Sequence, residues 1–260
     1  MGNIIIIEFT KLKRYSILWI GIVAVFFSAM LAVFQSSSGG GSIFYESFYN
    51  NVVWNNFSLA FPFMIVLIGG YIINREYTDH TLKTMLTVPI SFRKMLTGKL
   101  IVLGVITVLF AVFSFFCTLL LAFVLQTKGM SLPLVMKSLY QIVGIGLCNY
   151  IAVLPIITFF CRKQNGFFAG VGFAFVYGFC GIFVAGRGIT DFYPITAGLG
   201  ILGYTGQGTV SYNTAVGCLA LLAMLIVSAA LIRRTTNYDE ITTAPKKKIK
   251  SGKSGNSKRK

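Results

Sequence analysis

Charge is what this chain has least of. Only 12% of its 260 residues are Asp, Glu, Lys or Arg, about half the share of an ordinary soluble domain. Acids are the scarcer sign, 7 against 23 lysines and arginines. There is one histidine, His80, which leaves no second imidazole for a histidine metal site and no partner at triad spacing. The cysteines Cys117, Cys148, Cys161, Cys180 and Cys218 are widely spaced and form no CxxC, so they read as small apolar residues rather than a disulfide or metal framework. Phosphate-binding loops are missing too. The tail contains Gly252-Lys253-Ser254, but the first glycine that such a loop needs falls on Lys247. Gly198, Gly200 and Gly203 spell GxGxxG, yet no strand pattern precedes them and no acid follows until Asp239. The chain is therefore expected to bind no ATP and to need no cofactor of its own.

What is present is apolar, and it comes in runs. Hydrophobic residues make up 55% of the chain, and uncharged stretches of about 18 residues or more, long enough to cross a bilayer as helices, recur along it. Six are expected, over 15–34, 56–74, 100–126, 138–160, 166–186 and 212–232. The fold class is thus all-α, a polytopic integral membrane protein with one transmembrane domain over 1–235. None of the six contains Asp, Glu, Lys or Arg. Proton relays and intramembrane metal sites need such groups, which argues against an ion-coupled pump and against a membrane enzyme.

The basic residues fall on alternate connections. Lys11, Lys13, Arg14, Arg75, Lys83, Arg93, Lys94, Lys99, Arg162, Lys163, Arg233 and Arg234 lie on one side, and only Lys128, Lys137 and Arg187 on the other. By the positive-inside rule both termini are cytoplasmic, in a bacterial cytoplasmic membrane. The net charge of +16 is then a topology signal, not a nucleic-acid footprint. The start, MGNIIIIEFTKLKRYS, reverses the order of a cleavable signal, and Ile6 stands where myristoylation needs Ser or Thr. Residues 3–14, with Ile5, Phe9 and Leu12 at helical spacing, suit an interfacial helix. Residues 35–55 read as an outer loop rich in interface-seeking aromatics. Pro155 predicts a kink in the fourth span, and Gly166 and Gly170, with Gly178 and Gly181, predict close helix approach in the fifth. Segment 187–211 has an apolar middle at 194–204 that is half a span long, which fits a re-entrant or surface helix. Residues 236–260 form a disordered basic tail drawn to anionic lipid.

Between the second and third spans lies REYTDHTLKTMLTVPISFRKMLTGK, residues 75–99. Leu82, Met85 and Leu86 form an apolar stripe at i, i+3 and i+4; Thr78 or Asp79 can cap its start, and Pro89 ends it. Ser91 can cap the next helix, which runs through FRKMLTGK into the third span. On these features alone, a helix lying passively in the headgroups fits as well as a docking element. The pattern Glu76, then Thr81-Leu82-Lys83, Met85-Leu86, Pro89, Ser91, Arg93 and Gly98-Lys99 resembles the first cytoplasmic loop of ABC-2 type exporter permeases. It departs from the family at Asp79-His80, where many members carry a glycine. The resemblance extends in layout over most of the chain, and in residues over 76–99. It implies a coupling helix that docks on a separate ATP-binding cassette subunit through Glu76, Thr78, Thr81, Leu82, Lys83, Met85, Leu86, Pro89 and Arg93. Size and composition resemble the lantibiotic-immunity and bacitracin-resistance permeases. That similarity implies a second permease copy or paralogue as partner, and an amphipathic antimicrobial peptide, drawn from membrane lipid, as cargo. Export of a lipid, polysaccharide or ion by the same machinery stays open, as does a structural membrane subunit without transport.

Overall fold

A computed structural model describes residues 6, 8–11, 16–38, 42–78, 92–160, 166–206 and 212–234. Among them the backbone is almost wholly helical; Phe44 and Lys128 form an isolated β-bridge. The helices are α1 (Ile17–Ser37), α2 (Tyr45–Asn55), α3 (Phe61–Thr78), α4 (Phe92–Val124), α5 (Leu132–Phe160), α6 (Gly166–Val184), α7 (Pro194–Ile201) and α8 (Thr214–Arg234). A short π-helical segment, Asn56–Ala60, joins α2 to α3 without a break. Six helical stretches are long and apolar enough to cross a membrane, one for each expected span. In hydrocarbon a backbone must satisfy its own polar groups, which is why runs this apolar form helices.

The second span departs from expectation. Residues 45–55 are not an outer loop but the first turns of that span. Tyr45, Phe48, Tyr49, Val52 and Val53 repeat at i, i+3, i+4, i+7 and i+8, and all are buried. The aromatic content, read as an interface belt, conceals a helical period of core residues. The third span begins at Phe92, so FRKMLTGK is helical as expected. In the fourth, α5 continues through Pro155. The expected short helix in 194–204 is α7, opened by Pro194 at its first position, where a missing N–H costs nothing. Its residues 195–200 are all buried, against α5 and α8.

Core and periphery separate by helix. The second span is 78% buried and α5 61%, whereas α1 and α6 are each 28% and α8 17%. α5 touches α3, α4, α6, α7 and α8. The outer helices turn Phe27, Phe34, Phe168, Phe183, Leu219 and Ile226 outward, a surface that suits lipid and not water.

Glycines set the closest approaches. On α6 the buried stripe is Gly170, Ala174, Gly178 and Gly181, while Gly166 is only half-buried. A Cβ on Gly178 would run into the Ser58 carbonyl oxygen, so α6 lies directly on the π segment. Of the three glycines that mimic a nucleotide motif, two serve packing and one a turn. A Cβ on Gly198 would stand 2.7 Å from Cys148 Cβ, one on Gly200 3.0 Å from Tyr212, and Gly203 turns the chain at φ +61.

Candidate functional site

Two regions qualify, one at an end of the bundle and one partway along it. The first is the basic end, where the expected coupling segment is anchored. Residues 79–91, with Thr81, Leu82, Lys83, Met85, Leu86 and Pro89, lie outside the described residues, as does His80. Their two anchors are described. Glu76 and Thr78 belong to the last turns of α3, and Arg93 is exposed in the first turn of α4 beside exposed Lys94. Thr97 Oγ1 donates to the Arg93 carbonyl at 2.8 Å. Arg75 Nη1 donates to Tyr71 Oη at 3.3 Å. α3 and α4 pack against each other, so the segment leaves and re-enters one helix pair.

An ion pair at this end escaped sequence reasoning. Lys99 Nζ donates to Glu8 Oε2 at 2.7 Å, and the two side chains are only 2% and 3% exposed. Glu8 Oε1 also lies 3.6 Å from Lys11 Nζ, which is partly exposed. Residues 8–11 are helical, and Phe9 packs on the core. The N-terminal stretch was expected to be an interfacial helix; within it, Glu8 and Phe9 are held by the bundle. The one signal was a lone acid, Glu8, among the lysines of the first segment.

The second region is a groove of about 510 Å³ that opens on an exposed apolar surface. Ile20, Val23, Ala24, Phe27 and Leu31 of α1 form one wall, and Phe175 and Phe179 of α6 the other. Leu59, Ala60 and Phe63 lie between them, and none of the lining residues is charged. Two lining residues, Ser28 and Asn55, are polar, and a hydrogen-bonded cluster extends behind them. Ser28 Oγ donates to Asn56 Oδ1 at 2.7 Å, and Asn56 Nδ2 donates to Ser114 Oγ at 2.9 Å. Asn55 Nδ2 donates to Gln35 Oε1, and Gln35 Nε2 returns a bond to Asn55 Oδ1, both at 3.2 Å. The adjacent asparagines stand where the helix becomes π-helical. Such a widened turn recurs at functional sites; here it lets Asn55 face α1 while Asn56 bridges α1 to α4. Polar residues within otherwise charge-free spans were the signal for this site, and their long sequence separation hid it.

At the end opposite the basic one the bundle is closed by polar contacts. Tyr45 Oη and Ser138 Oγ share a hydrogen bond at 2.7 Å. Gln141 Nε2 donates to the carbonyls of Leu202 and Gly203, each at 3.1 Å. Tyr204 Oη donates to the Asn50 carbonyl at 3.1 Å. Burial first, then the neighbouring Tyr212 and Tyr49 phenols, pushes the Tyr204 phenol above its usual range, so it stays a neutral donor. Chemically, the molecule offers apolar contact surface, a few uncharged polar groups and basic residues gathered at one end. Among the described residues no cluster of His, Cys, Asp or Glu could hold a metal ion.

Residues 4–181 match the model of the ABC-2 family transporter proteins. The chain is also similar to a bacitracin transport permease protein of Bacillus licheniformis, 27% identical over 131 residues. That stretch is 50% of this chain and 62% of the relative, so the similarity spans less than two thirds of the permease's length.

Proposed function

Because the chain belongs to the ABC-2 transporter family, we propose that it is the permease subunit of an exporter that removes an amphipathic antimicrobial peptide of lantibiotic or bacitracin type from the membrane, conferring immunity or resistance. ATP hydrolysis is supplied by a separate ATP-binding cassette subunit docked through Glu76 to Arg93, at the junction of α3 and α4, and a second permease, identical or paralogous, completes the path. The basic end then faces the cytoplasm. The observation that carries this reading is the groove of α1, α3 and α6: apolar, uncharged, open to lipid and floored by Ser28 and Asn55. An amphipathic peptide arriving from the bilayer presents an apolar face to such walls and a few amide groups to such a floor. The relative's description as a bacitracin transport permease supports the same cargo class.

The test joins partner and cargo. Leu82→Glu with Leu86→Glu places two charges on the stripe, where each leucine buried in a partner groove would contribute roughly 1.5–3 kcal/mol. The expected result is normal membrane insertion, loss of the co-purifying ATPase and loss of survival against bacitracin or a lantibiotic. A double variant that keeps both partner and protection refutes the docking role. Wild-type cells that hold the ATPase but gain no protection refute the peptide cargo and favour a lipid, polysaccharide or ion.

A further inference from the structure

Glu8 and Lys99 are 91 residues apart in sequence and tie together the two elements that flank the candidate sites. Lys99 lies on α4, eight residues past the end of the 79–91 segment. Glu8 lies nine residues before Ile17, the start of α1, and α1 forms a wall of the groove. A buried ion pair adds little net stability over an apolar pair of the same shape, because desolvation offsets the attraction; what it can supply is a specific registration between two elements. A second fastening lies further along the same two helices. A Cβ on Gly21 would run into the ring of Phe110, so α1 seats on α4 with no slack there. Phe9 lies in the same α1–α4 seam, next to Leu18 and Ile106.

We infer that the Glu8–Lys99 ion pair is a strut that makes α1, and with it one wall of the groove, follow α4 when the segment before α4 is moved. The inference rests on the exporter reading and adds a route to it. Motion entering at 79–91 reaches the groove through α3, which is continuous with the π segment, and independently through α4, Lys99, Glu8 and α1. Glu8 and Lys99 are positioning residues: they contact neither nucleotide nor cargo.

Lys99→Met is the informative variant. It removes the strut and leaves Lys11 at 3.6 Å as the remaining cation beside the Glu8 carboxylate, and Glu8→Gln, which leaves no carboxylate, is read beside it. The complex with its ATPase, reconstituted in vesicles, should keep wild-type yield and ATP hydrolysis, while bacitracin moved per ATP falls about 2- to 30-fold, the range over which single contacts alter coupling. Spin labels on Phe27→Cys and Phe179→Cys, across the groove, give a readout that needs no cargo. Their nucleotide-dependent separation change in the otherwise unaltered complex should be lost with Lys99→Met. Exchanging the charges, Glu8→Lys with Lys99→Glu, should restore both. Unchanged transport per ATP and label separation in Lys99→Met and in Glu8→Gln overturns the inference. So does a parallel fall of yield, hydrolysis and transport that the exchange fails to rescue, since that is fold support alone. A wild-type chain that holds no ATPase overturns the exporter reading itself, and the strut with it.

Discussion

Replacing Asn56 by leucine tests the polar cluster behind the groove. The side chains share a branched shape with the same number of heavy atoms, leucine being the bulkier, so the change removes the amide without opening a cavity, and any cost of the extra bulk is common to both arms of the cycle below. Two interhelical hydrogen bonds disappear, from Ser28 at 2.7 Å and to Ser114 at 2.9 Å. Within membranes such bonds average about 0.6 kcal/mol each, which gives a loss of roughly 1 kcal/mol. Both serines are buried, at 2% and 0% exposure, and stranding their hydroxyls adds to it. Each can fall back on the carbonyl one turn earlier in its own helix, so the addition stays below about 1 kcal/mol. The expected total is about 1–2 kcal/mol, a Tm lower by roughly 2–8 °C for a chain of this size, measured on detergent-purified protein. The decisive comparison is a cycle with Ser114→Ala. If the amide bridges as described, Ser114→Ala costs less in the Asn56→Leu background than in the wild type. Equal cost in both backgrounds refutes the bridge between α1 and α4.

Three further outcomes are expected. Gly178→Leu should lower Tm by the equivalent of about 1–3 kcal/mol, since its Cβ meets the Ser58 carbonyl, whereas Gly172→Leu, with nothing within 4 Å of its Cβ, should leave Tm unchanged; equal effects would show that α6 does not seat on the π segment. Asn149 is fully buried with neither Nδ2 nor Oδ1 hydrogen-bonded, so Asn149→Leu should raise stability by about 1–3 kcal/mol in the same melt, and a fall would reveal a partner for the amide. Cysteines at Ile189 and Phe192, which are 56% and 70% exposed, introduced into a chain cleared of its own cysteines, should react with membrane-impermeant reagents from outside the cell; labelling only from the cytoplasmic side reverses the topology.

Hydropathy made the spans legible because the bilayer imposes one length and one composition on every crossing. The central positions of all six expected runs are helical. Boundaries were less legible where chemistry at the helix ends imitates something else. Tyr45, Phe48 and Tyr49 look like interface aromatics by type and like core by period, and the period wins. Partners distant in sequence were not legible at all. Glu8 and Lys99 are ordinary interface charges until the fold brings them to 2.7 Å, and Asn56 becomes a bridge only when α1 and α4 flank it. The coupling pattern of 76–99 came from likeness to a family, which the match over residues 4–181 bears out at the level of the family.

Five of the described helices fall into two lengths, and the division follows burial. The peripheral α1, α6 and α8 have 21, 19 and 21 residues, or about 28–32 Å at the helical rise, close to the hydrocarbon thickness of an ordinary bilayer. The more central α4 and α5 have 33 and 29 residues, or about 43–50 Å, and overshoot it. The outer helices are thus close to hydrocarbon thickness along their whole length, while the inner ones carry turns at their ends that extend beyond it. A helix as short as the outer ones answers a thicker or thinner membrane by shifting or tilting. α1 and α6 are the two helices that wall the groove, so the groove lies between helices whose length is set by the bilayer rather than by the core.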